Sequence, residues 1–201
     1  MLLIGLTGNY GMGKSTVLSM FRKCGAYTLG ADEIVRELLE KSYVKKKIKK
    51  IFGNDFFCPN DRINKEKIAA AIFSDSSLRT ELENILHPLV LKKISAEIKK
   101  AQKEYSIAII EIPLLFEKNY ENIFDKTITV FTTKKEAIRR LEKKGINKTD
   151  AIMRLKTQLP VKEKIRKSDF TIDNSKTPEL TKKAVEKLYE NLLKEATHGN
   201  N

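Results

Sequence analysis

Apolar and polar positions recur with two different periods along this chain, and the changes of period mark out its elements. Leu2-Leu3-Ile4-Gly5-Leu6 is an unbroken apolar run that predicts a buried strand, and after a glycine-rich break residues 17–23 begin an amphipathic helix. Residues 25–32 read as a short strand ending in a polar turn, and residues 33–39 as the start of a second helix. Residues 41–105 predict mostly helix, interrupted where glycine, asparagine and proline punctuate residues 53–61. Two helical runs follow at 64–73 and 75–86. The second is expected to end at His87-Pro88, because proline starts or stops helices more readily than it continues them.

Residues 106–112 are almost continuously apolar, the pattern of a central parallel strand covered on both faces. Residues 125–131 alternate like another strand, and residues 169–174 like a last one. Between those two lie charged helical stretches at 134–144 and 149–158, joined at Gly145. A closing helix over 178–195 would place Leu180, Ala184, Leu188 and Leu192 on one face, leaving a frayed tail at 196–201. Strands alternating with helices predict a doubly wound, mainly parallel α/β domain. No internal repeat or low-complexity linker interrupts it.

The break after the first strand carries the clearest chemistry. Gly8, four residues, then Gly13-Lys14-Ser15-Thr16 is a phosphate-loop pattern, standing between a strand and a helix as that motif requires. Bare backbone can approach a phosphate chain, so the loop N–H groups converge on its oxygens while the next helix turns its positive end toward the same anion. Lys14 supplies a mobile charge for the outer phosphates and Ser15 a hydroxyl for Mg²⁺. The pattern implies binding of a nucleoside triphosphate and a P-loop NTPase-type sheet. Asp32 falls at the end of the second strand, where open parallel sheets hold their ligands, although an aspartate there also suits a helix cap with Arg36 one turn along. Glu111 ends an apolar strand, the place of a carboxylate near the metal or its waters.

Composition narrows the setting. The 201 residues are 41% hydrophobic and 32% charged, enough for one packed domain. No apolar run reaches the roughly 18 residues of a membrane span, and residues 1–6 lack a charged leader and cleavage site, so the expected location is the cytosol. Cys24 and Cys58 are unclustered and are expected as reduced thiols. The 39 Lys and Arg against 26 Asp and Glu give a charge of +13. Lysine predominates and is spread along the chain, densest at residues 45–50, so a solvated basic surface is preferred to a nucleic-acid interface.

Among P-loop proteins, Asn147-Lys148-Thr149-Asp150 spells a guanine-reading motif, but a charged helical stretch precedes it instead of an apolar strand, and Asn147 reads better as a helix cap. No Asp-x-x-Gly stands for a γ-phosphate switch. An oligomeric nucleic-acid ATPase would need partner-facing arginines and usually a longer chain. A small-molecule kinase is the leading class.

Several segments taken together resemble the dephospho-coenzyme A kinase family: the loop over residues 5–16, Ala31-Asp32-Glu33-Ile34-Val35-Arg36-Glu37, His87-Pro88-Leu89-Val90, Ile112-Pro113-Leu114-Leu115-Phe116-Glu117, Arg140-Leu141, Arg154 with Gln158, and Asp169 with Ile172-Asp173-Asn174. The likeness runs in order over about residues 3–175. It implies transfer of the ATP γ-phosphoryl group to the ribose 3′-hydroxyl of dephospho-CoA, with Mg²⁺, as the last step of coenzyme A synthesis. The runner-up is a kinase of another small hydroxyl or nucleotide acceptor.

The resemblance also implies one kinase domain with a core at 1–32, 106–133 and 159–201, a helical substrate region at 33–105 and a lid at 134–158. By position, Lys14, Asp32 and Arg140 are the catalytic candidates. Gly8, Gly11, Met12, Gly13, Lys14, Ser15, Thr16, Arg140 and Asn174 are expected at ATP, with Asn174 beside the adenine. Asp32, Arg36, His87, Leu114 and Leu115 are expected at the acceptor, and Ser15 and Glu111 at the metal. Dephospho-CoA is the expected small-molecule partner, with no nucleic acid or membrane, and the sequence leaves oligomeric state open.

The chain departs from the family pattern at four places. Asn9 stands where the loop usually has glycine, and is expected to take a glycine-like conformation, which asparagine tolerates better than most residues. Gly30 replaces the first carboxylate of a usual Asp-Ala-Asp, Glu111 replaces an aspartate, and Lys144-Gly145 replaces an Arg-Asp pair in the lid. Arg140 and Lys144 lie four residues apart and are expected on one helical face toward the phosphates.

Overall fold

The computed structural model describes residues 1–198, without the side chain of His198. Its centre is a five-stranded sheet of β1 (Leu2–Thr7), β2 (Tyr27–Gly30), β3 (Ile107–Glu111), β4 (Lys126–Phe131) and β5 (Phe170–Asp173), in the order β2-β3-β1-β4-β5. All four pairings are parallel, where mainly parallel was expected. After β3 the chain passes to the other side of β1 to form β4. The strand order therefore reverses at β1, and the crevice beyond its carboxyl end is where such sheets receive ligands. The loop after β1 occupies that point.

Burial explains the strands. Every residue of β3 is buried, as its unbroken apolar run requires. β4 was expected to alternate, yet its four interior residues are all buried, with Thr127 and Thr129 inside as well as Ile128 and Val130. Their hydroxyls are accommodated by hydrogen bonds: Thr127 Oγ1 donates to Asp169 at 2.8 Å and Thr129 Oγ1 to the Lys164 carbonyl at 3.3 Å.

Helix α1 (Lys14–Cys24) starts three residues earlier than its apolar period suggested, so Lys14, Ser15 and Thr16 form its first turn. It ends at Gly25, whose positive φ lets its N–H return to the carbonyls of Arg22 and Phe21. Helix α2 (Ala31–Leu39) follows β2 without the expected polar turn, and helix α3 (Ser42–Phe52) carries the dense lysine run. In α3, Val44, Ile48 and Phe52 are buried, while Lys45 pairs with Glu40 at 3.3 Å and Lys49 with Asp61 at 2.7 Å. A single turn at Asn54–Phe56 leads to α4 (Lys65–Ser74), which Asn64 caps by accepting from the Lys67 N–H.

Helix α5 (Ser76–Ala101) corrects the expected end at His87-Pro88, because it runs through Pro88. Pro88 is exposed and removes one internal hydrogen bond, while Leu82, Leu86, Val90 and Ile94 remain buried at four-residue intervals on both sides of it. Tertiary burial here outweighs a local helix-breaking signal of about 3 kcal/mol.

Helices α6 (Lys134–Glu142) and α7 (Lys148–Lys156) are capped by Thr133 and Asn147, whose side chains accept from Glu136 N and Asp150 N. The cap role expected of Asn147 is thus realised. Helix α8 (Val161–Lys167) was not foreseen. Helix α9 (Pro178–His198) extends three residues past its expected end, so 196–198 are helical, and 199–201 lie outside the described residues. Its buried face is Thr181, Val185, Leu188 and Leu192, whereas Leu180 is half exposed and Ala184 points outward.

The chain divides into two compact units, residues 1–30 with 98–201, and residues 31–97. The first contains the sheet and one core cluster, in which Ile4, Leu6, Val17, Phe21, Ile109, Ile128, Val130, Val185 and Leu192 are buried together. The second is helical. Among the described residues, no helix is long and apolar enough to cross a membrane.

Candidate nucleotide-binding site

The loop between β1 and α1 is built by close approach. Gly8, Gly11 and Gly13 all have positive φ. A Cβ added to Gly13 would meet the Asn174 amide nitrogen at 2.0 Å and Arg140 Nη1 at 3.1 Å, so only glycine allows those two side chains to lie over the loop. Asn9 does not have positive φ, contrary to expectation. The conformational demand falls on Gly8, Gly11 and Gly13, and Asn9 serves instead as a clip, its Nδ2 donating to the Leu159 carbonyl at 3.0 Å.

Asn174 braces the loop. Its amide nitrogen donates to the Met12 carbonyl at 2.9 Å, its amide oxygen accepts from Thr181, and its own carbonyl accepts from Arg140 at 2.8 Å. Met12 is buried, and its sulfur accepts from the Thr132 N–H. The Tyr10 N–H donates to Gln158 at 2.8 Å, and the Tyr10 hydroxyl accepts from Arg154 at 2.9 Å. The buried Lys14 reaches the Asn9 carbonyl at 3.4 Å, while Ser15 and Thr16 are exposed in the first turn of α1. Two buried oxygens beside the loop, Asn9 Oδ1 and Thr132 Oγ1, have no protein partner among the described residues. Such groups suit a polar ligand or water.

Arg140 projects from α6, held through Nε by Glu136 at 2.8 Å. The neighbouring Arg139 grips the same carboxylate with two bonds. Hydrogen bonding from Arg139, reinforced by Arg140, holds the Glu136 carboxyl at about 2, well below the usual carboxylate range. Lys144 was expected on one helix with Arg140, but it lies outside that helix. Helix α6 ends at Glu142, and Lys144 is exposed in the turn beyond it.

Glu111 is buried at the end of β3, opposite Leu6 on one side and Gly30 on the other, which places it beside the strand that feeds the loop. Among the described residues, no three His, Cys, Asp or Glu side chains gather into a metal cage. One hydroxyl at the helix start and one carboxylate at a strand end are hard oxygen donors, the set by which Mg²⁺ is held when phosphates and waters complete its shell.

The segment after β3 does not meet the expectation for both leucines. Leu115 is fully buried, its Cδ1 lying where a Cβ on Gly5 would come within 2.5 Å. Its side chain therefore fills the core beside β1, and only Leu114 is partly open. Sequence reasoning also missed Lys164, wholly buried in α8, which donates to the Pro113 carbonyl at 2.8 Å and pairs with Glu117 at 2.9 Å. Burial lowers the Lys164 ammonium from the ordinary lysine value, while Glu117 opposes that shift. The signal existed: Val161, Lys164, Ile165 and Ser168 share one face by helical spacing.

In the helical unit, Asp32 is exposed in the first turn of α2, as its second residue and not its cap. Arg36 is exposed one turn along, and His87 is half-buried in α5.

A loop of this construction identifies a nucleotide-binding protein, and the family is decided by extended likeness. Residues 2–179 match the dephospho-CoA kinase family. This chain belongs to the dephospho-CoA kinase family. It is 38% identical to the dephospho-CoA kinase of Aquifex aeolicus over 193 residues, covering 96% of this chain and 98% of that one. A solved structure, TT1252 from Thermus thermophilus, superposes with a TM-score of 0.83 at 29% identity, covering 96% of this chain and 97% of the other. A dephospho-CoA kinase from Campylobacter jejuni shares the fold with a TM-score of 0.65 at 24% identity, over 94% and 96% of the two chains.

Proposed function

We propose that this chain transfers the γ-phosphoryl group of ATP to the ribose 3′-hydroxyl of dephospho-CoA, giving coenzyme A and ADP. The observation that carries the donor half is the loop over which Asn174 and Arg140 close at Gly13. Family membership along residues 2–179 carries the acceptor.

Phosphoryl transfer demands alignment and charge neutralisation, because its loose transition state spreads negative charge over the equatorial oxygens. The loop amides of Gly8 to Thr16 and the positive end of α1 would receive the phosphates, with Lys14 and Arg140 as their cations. The segment at Asn174 would lie beside the adenine. Ser15 and Glu111 would hold Mg²⁺, which neutralises phosphate charge when bound. Asp32 would orient the acceptor hydroxyl and take its proton late, and Arg36, His87 and Leu114 would contact the acceptor. Helices α6 and α7 would act as a lid that keeps water from the phosphoryl group. We further propose a cytosolic protein whose basic surface has no nucleic-acid role.

A coupled ADP-release assay tests this reading with Mg²⁺ and either dephospho-CoA or nucleoside monophosphates as acceptor. Turnover is expected to depend on dephospho-CoA. Comparable ATP consumption with a nucleoside monophosphate would favour the runner-up, a kinase of another small acceptor.

A further inference from the structure

A closed ring of hydrogen bonds lies within the sheet-containing unit. The Thr7 hydroxyl, at the end of β1, donates to the Pro113 carbonyl at 3.2 Å. The same carbonyl accepts from Lys164 Nζ at 2.8 Å. Lys164 pairs with Glu117 Oε1 at 2.9 Å, and that oxygen also accepts from the Leu159 N–H at 2.9 Å. The Leu159 carbonyl accepts from Asn9 Nδ2 at 3.0 Å, which returns the ring to the phosphate loop two residues from Thr7. Three separate stretches of chain, 7–9, 113–117 and 159–164, therefore meet around one ammonium group with zero side-chain exposure.

A structural lysine gains little from this placement. An ammonium group withdrawn from water costs more than an ordinary core side chain of the same volume, and ion pairs of this kind are often replaceable by apolar residues without loss of stability. What the pair provides is fixed geometry, since a lysine with two acceptors and a carboxylate oxygen with two donors tolerate little displacement.

We propose that Lys164 and Glu117 are a positioning pair that sets the segment 113–117 and the lid attachment at Leu159 against the phosphate loop, so that acceptor placement and lid closure are referenced to one point. Both ends of the 113–117 segment are held, Pro113 through its carbonyl and Glu117 through its carboxylate, with the partly open Leu114 between them. Leu159 follows Gln158, which itself receives the Tyr10 N–H, so the segment leaving α7 is tied to the loop at two successive residues. The role in acceptor placement rests on the reading of the protein as a dephospho-CoA kinase; the ring itself does not.

Two measurements on Lys164→Met, Glu117→Ala and Glu117→Gln test the proposal. In steady-state kinetics, Lys164→Met and Glu117→Ala are expected to lower kcat/KM for dephospho-CoA about 10²-fold, as small displacements of a positioned group do. The Kd for ATP should stay within about twofold, because the loop keeps its braces at Asn174 and Gln158. Glu117→Gln keeps an acceptor for the Leu159 N–H and should lose at least about tenfold less than Glu117→Ala. A fall in ATP affinity matching the fall in kcat/KM would reduce the pair to a general structural element and overturn the proposal.

Amide hydrogen exchange on the ligand-free proteins supplies the second arm. Residues 113–118 and the Leu159 amide should exchange faster in Lys164→Met and Glu117→Ala, with residues 8–16 unchanged. Unchanged exchange at Leu159 would overturn the ring. If wild-type protein fails to phosphorylate dephospho-CoA, the substrate reading falls, while the exchange arm still decides whether the pair positions these segments. If Lys164→Met does not fold, Glu117→Gln against Glu117→Ala decides in both arms.

Discussion

The sheet-containing unit and the helical unit hold their candidate functional groups in opposite ways. Around the phosphate loop, Lys14, Met12 and Asn174 are buried, and Asn174 and Arg140 each bond to more than one group. In residues 31–97, Asp32 and Arg36 are exposed on the first and last turns of a nine-residue helix, and His87 is half-buried in α5. A site whose donors are fixed before the ligand arrives needs no reorganisation when charge develops. Surface groups on a separate unit can instead become effective when the acceptor orders them, which is how a kinase avoids spending ATP on water. On the proposed function, the contrast corresponds to ATP binding at a preformed loop and commitment to transfer by groups outside it.

The largest expected effect attacks the preformed half. Arg140→Ala should lower single-turnover phosphoryl transfer about 10³-fold, the scale of an arginine acting on this transition state. Lys144→Ala should cost at least tenfold less, since α6 ends before Lys144 and the residue is exposed. Equal losses for the two would mean that the catalytic arginine has been misplaced.

A pair of glycine substitutions sharpens the same contrast. Gly13 and Gly145 have nearly equal φ, +86° and +82°, but an added Cβ meets Asn174 at the first and nothing within 4 Å at the second. Gly145→Ala should therefore cost only the backbone strain, about 1–2 kcal/mol in denaturant unfolding, with ATP affinity retained. Gly13→Ala carries that strain and also displaces Asn174, so ATP binding by calorimetry should weaken roughly 10²-fold. Equal ATP affinity in the two variants would show that the close approach of Asn174 is not needed.

The smallest expected effect concerns Glu136, which sets the direction of Arg140. Its carboxyl is depressed to about 2 by Arg139 first and Arg140 second, so the charged form is favoured on folding. A depressed carboxylate contributes stability in full above the unfolded value near 4.3, and that contribution is lost as pH falls through the folded value. Wild type should thus exceed Glu136→Gln in stability at neutral pH by a modest margin that shrinks between about pH 4.5 and 2. A margin independent of pH in urea titrations would contradict the ion-pair origin. Because these side chains are partly exposed, salt should reduce the margin as well.

Local patterns made much of this protein legible. The apolar run of β3, the glycine spacing of the loop and the capping asparagine before α7 each act within a few residues, and each is found where its pattern placed it. The misreadings came from rules that burial overrode. Pro88 signals a helix end, yet a four-residue ladder of buried side chains carries α5 past it. On α9, Leu180 is apolar but exposed, and the polar Thr181 is inside because Asn174 gives its hydroxyl a partner. Asn9 was expected to imitate a glycine, but its value lies in a side-chain bond to Leu159, 150 residues away. Lys164 was hidden for the same reason. Helical spacing sets it on the face of Val161 and Ile165, but its partners Glu117 and Pro113 are brought to it only by the fold.

The division between a preformed donor site and an acceptor-dependent commitment is tested most directly at Asp32. Replacing it with asparagine keeps shape and a hydrogen bond but removes the proposed base, while the phosphate-loop braces at Asn174, Gln158 and Leu159 lie elsewhere in the chain. Measured together on Asp32→Asn, kcat with dephospho-CoA should fall roughly 10²–10⁴-fold while the Kd for ATP stays within about twofold. A near-normal kcat, or a loss of ATP affinity as large as the loss of rate, would contradict the account.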